Sequence, residues 1–279
     1  MPDSWDDYRF MLYLYRHRTM AAAARSLGTS AATVSRRIER ARDIFGVPAF
    51  SKKGETWMLN PELEPAMEVI SQFAEAIRAQ KNNLGAGPAR SVTALSVGCP
   101  PFIASCILLP NMTVEGGLPE NIDLTLSSRF LDQGLGDCDI VLRQGLPDSG
   151  RLIARRAGAM TFRLYQPVGA EASRRWVGLT RDQDSFGPMR RVAEVFNSVP
   201  AMRVSQFDHL RDLILSTGLP GPLPDVMARR DPRLELAQPL AEESAEFWLA
   251  FHETRSGDRA LRATVDWIIS CFARNERLN

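Results

Sequence analysis

Apolar residues near the start of the chain return every three or four places. Tyr8, Met11, Leu12, Leu14 and Tyr15 gather on one side, which predicts an amphipathic helix over residues 5–17. Thr19 is suited to cap a second helix running through Ala21, Ala22, Ala23, Ala24 and Leu27 to Gly28, whose small side chains let neighbouring helices approach closely. Ser30 is placed to cap a third, with Val34, Ile38 and Ala41 on one face and Thr33, Arg36, Arg37 and Arg40 on another. Two short helices about a glycine-containing turn, the second basic on its outer side, form the pattern of a helix-turn-helix. The second helix of such a pair fits the major groove, where arginines bond phosphates or guanine edges. Residues 50–59 read as a short hairpin with Gly54 at its turn, a wing whose Lys52 and Lys53 lie against a nucleic-acid backbone.

The next helix starts at Asn60–Pro61 or at Glu64–Pro65, since proline is best tolerated in a first turn. Leu63, Ala66, Ile70, Phe73, Ile77 and Leu84 follow a three-four spacing. Such a stripe suits a helix that packs on a copy of itself or a core helix of the adjoining domain. "GAGPARS", residues 85–91, reads as a hinge. Beyond it the pattern changes to short strands, at residues 91–98, 122–128, 138–145, 160–167 and 201–205, with helical stretches at 103–109, 189–197 and 207–216 and a final helix at 258–274. This alternation predicts an α/β domain with a largely parallel sheet, and ligands in such folds bind at the carboxyl ends of strands.

Composition and charge sharpen this reading. With 44% hydrophobic and 24% charged residues the chain has the balance of a globular protein rather than a disordered or membrane one. No apolar run reaches the roughly 20 residues of a spanning helix, and "MPDSWDDYRF" lacks the basic start and apolar core of a signal peptide, so a cytoplasmic location is expected. Between Thr19 and Lys53 there are seven basic residues against two acidic ones, while the whole chain carries only +1. That asymmetry is the footprint of a nucleic-acid-binding head on a neutral body. Cys99, Cys106, Cys138 and Cys271 are scattered, and His17, His209 and His252 form no paired motif, so no metal or cofactor is expected. A competing reading makes the chain an enzyme or small-molecule binder with an N-terminal assembly domain. It would need a phosphate-cradling loop, a nucleophile elbow or paired histidines, and none of these motifs is present.

"TMAAAARSLGTSAATVSRRIERARDIFGVPAF", Thr19 to Phe50, is similar to the N-terminal pattern of the LysR-type transcriptional regulators. Weaker matches, at residues 135–145 and 204–224, extend the resemblance along nearly the full length. It implies a winged helix-turn-helix at residues 1–60, a dimerisation helix at 61–84 with Leu63, Ala66, Ile70, Phe73 and Ile77 at the pairing face, and an effector domain at 92–279 resembling the two-subdomain type 2 periplasmic binding proteins. The implied partners are double-stranded DNA with an inverted repeat, a second copy as dimer or tetramer, a small-molecule effector and RNA polymerase. Thr19 and Ser30 match positions that cap helices against phosphates, Thr33, Ser35 and Arg36 the recognition helix, and Lys52 and Lys53 the wing; Arg37 and Arg40, from their place on the basic face, join Arg36, Lys52 and Lys53 as expected phosphate contacts. Ala31 and Ala32 stand where the family often has Gln and then Pro or Ser, so a polar base reader is missing and methyl contacts, Arg36 and DNA shape gain weight. The loop after the first strand of the effector domain is Cys99, Pro100, Pro101, Phe102 instead of hydroxyl residues, and its two prolines remove two backbone donors. Ser128, Arg143 and Gln206 follow other strands and complete the expected effector set, with Arg143 open to two readings, a ligand cation, or else a surface residue or interdomain salt bridge. The domain looks abbreviated between Arg175 and Met202, which implies a small or vestigial pocket.

Overall fold

The computed structural model describes residues 4–84, 92–112, 117–119, 121–129, 135–136, 138–147, 151–239 and 241–277. The hinge expected at 85–91 lies outside them.

The head is built by capped helices. Ser4 caps α1 (Trp5–His17), whose first turn carries Asp6 and Asp7, and Arg18, in the left-handed conformation, ends it. Thr19 caps α2 (Met20–Leu27), accepting a hydrogen bond from the Ala22 N–H at 3.2 Å, and Gly28 at φ 63° closes it. Ser30 caps α3 (Ala31–Phe45) through the Thr33 N–H at 3.1 Å, and Gly46 at φ 73° closes that helix. Glycine has no Cβ to clash at these positive angles, so both helices stop where the next turn must begin. The wing pairs β1 (Phe50–Lys53) antiparallel with β2 (Thr56–Leu59), Phe50 opposite Leu59. Met11, Leu14, Ala23, Val34, Ile38 and Ala41 form a core closed by Phe50 and Leu59.

Both proposed starts of the next helix are used. Asn60 caps a single 3-10 turn, Pro61–Leu63, which runs directly into α4 (Glu64–Leu84). Leu63, Met67 and Ile70 are buried in the core of the head itself. Leu63 and Ile70 are therefore corrected from the pairing face to the intrachain core, because the first half of α4 packs on α1 of the same chain. Ala66 is half-buried, and Phe73 and Ile77, with Val69, stay exposed.

The second domain has its own, larger core. In chain order its elements are β3 (Thr93–Cys99), α5 (Pro101–Ile103, continued as a π turn to Leu108), β4 (Ile122–Ser128), β5 (Ile140–Gln144), β6 (Leu152–Pro167), β7 (Val177–Leu179), α6 (Gly187–Phe196), β8 (Met202–Val204), α7 (Phe207–Thr217), β9 (Gly221–Pro224), α8 (Asp225–Ala228), β10 (Leu234–Leu236), β11 (Glu242–His252) and α9 (Arg259–Arg277). The seven-stranded sheet has the order β10-β6-β11-β5-β3-β4, with β9 also on β6, while β7 and β8 form a separate parallel pair. The expectation of a largely parallel sheet is corrected. Among the described residues only β3–β4, β3–β5 and β7–β8 run parallel; β11 pairs antiparallel with both β5 and β6, and β9 and β10 pair antiparallel with β6. The cause is β11, an unanticipated strand whose first half, "EESAE", is made of residues with low strand preference and is held by pairing with β6. Because β6 and β11 are long, they pass from the part built on β3, β4 and β5 into the part built on β9 and β10. Two loosely divided halves result, which face each other across a cleft.

Candidate nucleic-acid interface and ligand cavity

The two caps and two glycine stops of the head hold α3 with its start and one face outward. Ala31, Ala32, Arg36 and Arg40 are exposed, and Arg36 and Arg40 stand one turn apart. Thr33 is half-buried, its hydroxyl 2.9 Å from that of Ser30, so these two side chains are engaged in capping. Ser35 lies 3.5 Å from Glu39. Lys52 and Lys53 are exposed on β1, and the wing is fixed to the helices by the Trp57 N–H donating to the Arg18 carbonyl at 2.7 Å. Thr19 is half-buried at the start of α2.

Arg37 departs from expectation. Its guanidinium donates to Asp7 at 2.7 Å and lies over the Phe10 ring, 5.6 Å from the centroid, so it ties α3 to α1 and is corrected from the outward face. The reason is angular: residue 37 is one position before Ile38 and three after Val34, which places it at the border of the buried face. Asp7 and Phe10 carry no sign of this role in a sequence read helix by helix.

In the second domain, Pro100, Pro101, Phe102, Ser128 and Gln206 line one cavity of about 80 Å³, together with Arg129, Leu179, Gln183, Ser205 and Phe207. Its walls come from both halves, the loops after β3 and β4 on one side and the segments after β7 and β8 on the other. Beneath it the Phe102 ring meets Phe207 edge-on at 4.8 Å and Phe162 at 6.1 Å, an aromatic floor shared by the halves. Gln206 is the N-cap of α7 without a capping side-chain bond, so the positive end of that helix opens toward the cavity. Pro101 stands in the first turn of α5.

Two expected members lie elsewhere. Cys99 is buried behind the wall, and burial with the neighbouring Cys138 pushes its thiol up to about 12. Arg143 sits opposite Trp248 in the β5–β11 pairing and donates to the Gln144 carbonyl at 3.4 Å; it is not among the lining residues. The carboxyl end of β5 is occupied by β11, the strand the sequence pattern concealed, and the cation at the cavity is instead Arg129, which donates to Cys138 Sγ at 3.5 Å. Its position directly after Ser128 at a strand end was the available signal. Among the described residues no cluster of His, Cys, Asp and Glu is arranged to hold a metal ion. No helix among them is long and apolar enough to cross a membrane.

Comparison with known proteins bears on the fold and on the head. The family model for the bacterial regulatory helix-turn-helix protein, lysR family, matches residues 5–62. The "Mau operon transcriptional activator" of Paracoccus denitrificans is 26% identical over 281 residues, 97% of each chain. ArgP from Mycobacterium tuberculosis superposes with a TM-score of 0.65 at 13% identity, covering 98% of both chains. A full-length OxyR variant from Pseudomonas aeruginosa gives 0.64 at 16% identity, covering 96% of this chain and 95% of that one. CrgA from Neisseria meningitidis, a LysR-type transcriptional regulator, gives 0.55 at 19%, covering 97% and 99%. These likenesses carry the fold, and the family match at residues 5–62 carries the DNA-binding head. Residues 5–62 thus carry a helix-turn-helix of the bacterial lysR family, and the fold of the whole chain is similar to that of LysR-type transcriptional regulators.

Proposed function

We propose that this regulator acts in the cytoplasm as a homo-oligomer on an inverted-repeat operator, with a small effector bound in the cavity of the second domain. The observation that carries the reading is the exposed row Ala31, Ala32, Arg36 and Arg40, held outward by capped α3 beside the Lys52–Lys53 wing. The start of α3 enters the major groove, where two alanine methyls admit close approach and contact thymine methyls, while Arg36, Arg40 and the lysines bind phosphates or guanine edges. Val69, Phe73 and Ile77 form an exposed apolar patch on α4, and a second copy covers it. The head then spans residues 1–60, with the start of α4 sharing its core. Residues 61–84 form the pairing helix and 92–279 the regulatory domain, whose bound state is the one RNA polymerase meets.

The small cavity with apolar walls and an open helix N-terminus suits a compact ligand with an acceptor group directed at α7 and an apolar body over Phe102, Pro101 and Leu179. Nuclease footprinting of the full-length protein on DNA upstream of its own gene tests the arrangement. Two protected half-sites about one or two helical turns apart are expected; a single protected half-site at all concentrations would remove the paired arrangement.

A further inference from the structure

The two hydrophobic cores have no residue in common. What lies between them is charge. Arg255, fully buried, donates to Asp258 at 2.6 Å and to Glu75 at 3.4 Å and also contacts Asp139. Arg78 reaches Asp139 at 2.8 Å, and Arg16 reaches the other oxygen of Glu75 at 2.8 Å. Asp139 is further held by the N–H and hydroxyl of Ser96, at 2.7 and 2.8 Å. Arg16 belongs to α1, Glu75 and Arg78 to α4, and the other three to the regulatory domain. These positions connect the DNA-binding head to the body of the same chain.

The charges are divided unevenly between the two sides. Within this buried cluster Arg255, Asp139 and Asp258 sum to one net negative charge on the body side, whereas Arg16, Arg78 and Glu75 sum to one net positive charge on the side of the head; at its exposed rim Glu68 of α4 also pairs with Arg151 of the body at 3.2 Å. Together the six are neutral. Burying an unpaired ion is costly, so each side is at ease only when the other is present or when water reaches it. An apolar joint would resist opening by the area it exposes. This joint, once parted, hydrates its ions, which makes it a contact with two accessible states. The structure also places it near the cavity: Arg129 of the cavity wall donates to Cys138, the residue next to Asp139.

We propose that this cluster is an intramolecular latch, with Glu75 as its central positioning residue, which sets the angle between the DNA-binding head and its own regulatory domain. The inference goes beyond operator binding and cavity occupancy and depends on neither the ligand nor its identity. Closed, the latch holds α4 against the 252–258 segment; open, it frees the head to take another orientation on DNA.

The test uses full-length Glu75→Gln, which keeps shape and removes the charge, and Arg16→Gln, which removes a partner at the head side without entering the body. Hydrogen exchange of the free proteins is expected to rise about tenfold or more in peptides covering α4 and residues 252–258, with β3–β5 peptides at wild-type rates. On operator DNA the pattern of nuclease sensitivity between half-sites changes, while affinity for an isolated half-site stays within about twofold. If Glu75→Gln fails to fold, Arg16→Gln carries the same expectations alone. Unchanged exchange in both segments, acceleration spread evenly over the molecule, or a loosened joint with an unaltered footprint would each overturn the proposal.

Discussion

The guanidinium of Arg37 donates to the carboxylate of Asp7 at 2.7 Å, with Asp7 almost wholly buried. An arginine in the middle of the presumed reading helix is thereby a structural tie between α3 and α1. Arg37→Ala is expected to lower the stability of the protein by about 1–2 kcal/mol, because a charged hydrogen bond is lost and a buried carboxylate is left behind. Thermal or urea unfolding measures this. The dependence of DNA affinity on salt should stay at the wild-type slope, and a flattened slope in this variant would return Arg37 to the DNA.

The two faces of α4 separate by substitution. Ile77→Asp places a charge on the exposed face, so sedimentation should show a smaller assembly with an unchanged melting temperature. Ile70→Ala instead removes core volume and should cost the head about 2–4 kcal/mol. Equal effects of the two on assembly would contradict the division of this helix.

The head was legible in the sequence because its information is local. Thr19, Ser30, Gly28 and Gly46 mark helix ends by their own chemistry, and Val34, Ile38 and Ala41 declare a buried face by spacing alone. Arg37 escaped because its partner lies thirty positions away, on a different helix. Likewise the cavity residues that follow strand ends were found, at Pro100, Ser128 and Gln206. Arg143 was misplaced because β11, whose Phe247–Ala250 stand beside β5, comes about a hundred positions later in the chain and was not anticipated as a strand. The Glu75–Arg255 contact joins residues 180 positions apart, and nothing in the neighbourhood of either announces the other.

His252 supplies a pH dependence. Burial pushes its pKa below the ordinary 6.5, opposed by Glu75 and Glu253, and its Nδ1 accepts from the Thr254 N–H. As pH falls through 6.5 the unfolded chain binds the proton before the folded one does, so stability drops from there toward the lower folded value. Unfolding midpoints at neutral and mildly acid pH should diverge more in the wild type than in His252→Gln. Identical pH profiles would count against the neutral, buried imidazole.

The thiols are protected by the same physics. Burial raises Cys99 to about 12 and Cys271 to about 11, and it raises Cys106 as well. Thiolate is the reactive form, so these three should react with a disulfide reagent at mildly alkaline pH only at the rate of unfolding. Rapid labelling of Cys99 in the folded protein would show the wall behind the cavity to be open.

The assignment of α3 as the DNA-reading element is tested most directly by a salt titration of operator affinity for the wild type and for Arg36→Ala plus Arg40→Ala. Each phosphate contact contributes about 0.9 to the slope of log affinity against log salt, so a dimer losing four should flatten by about 3–4 while its melting temperature holds. Affinity and slope unchanged in the double variant would contradict the account.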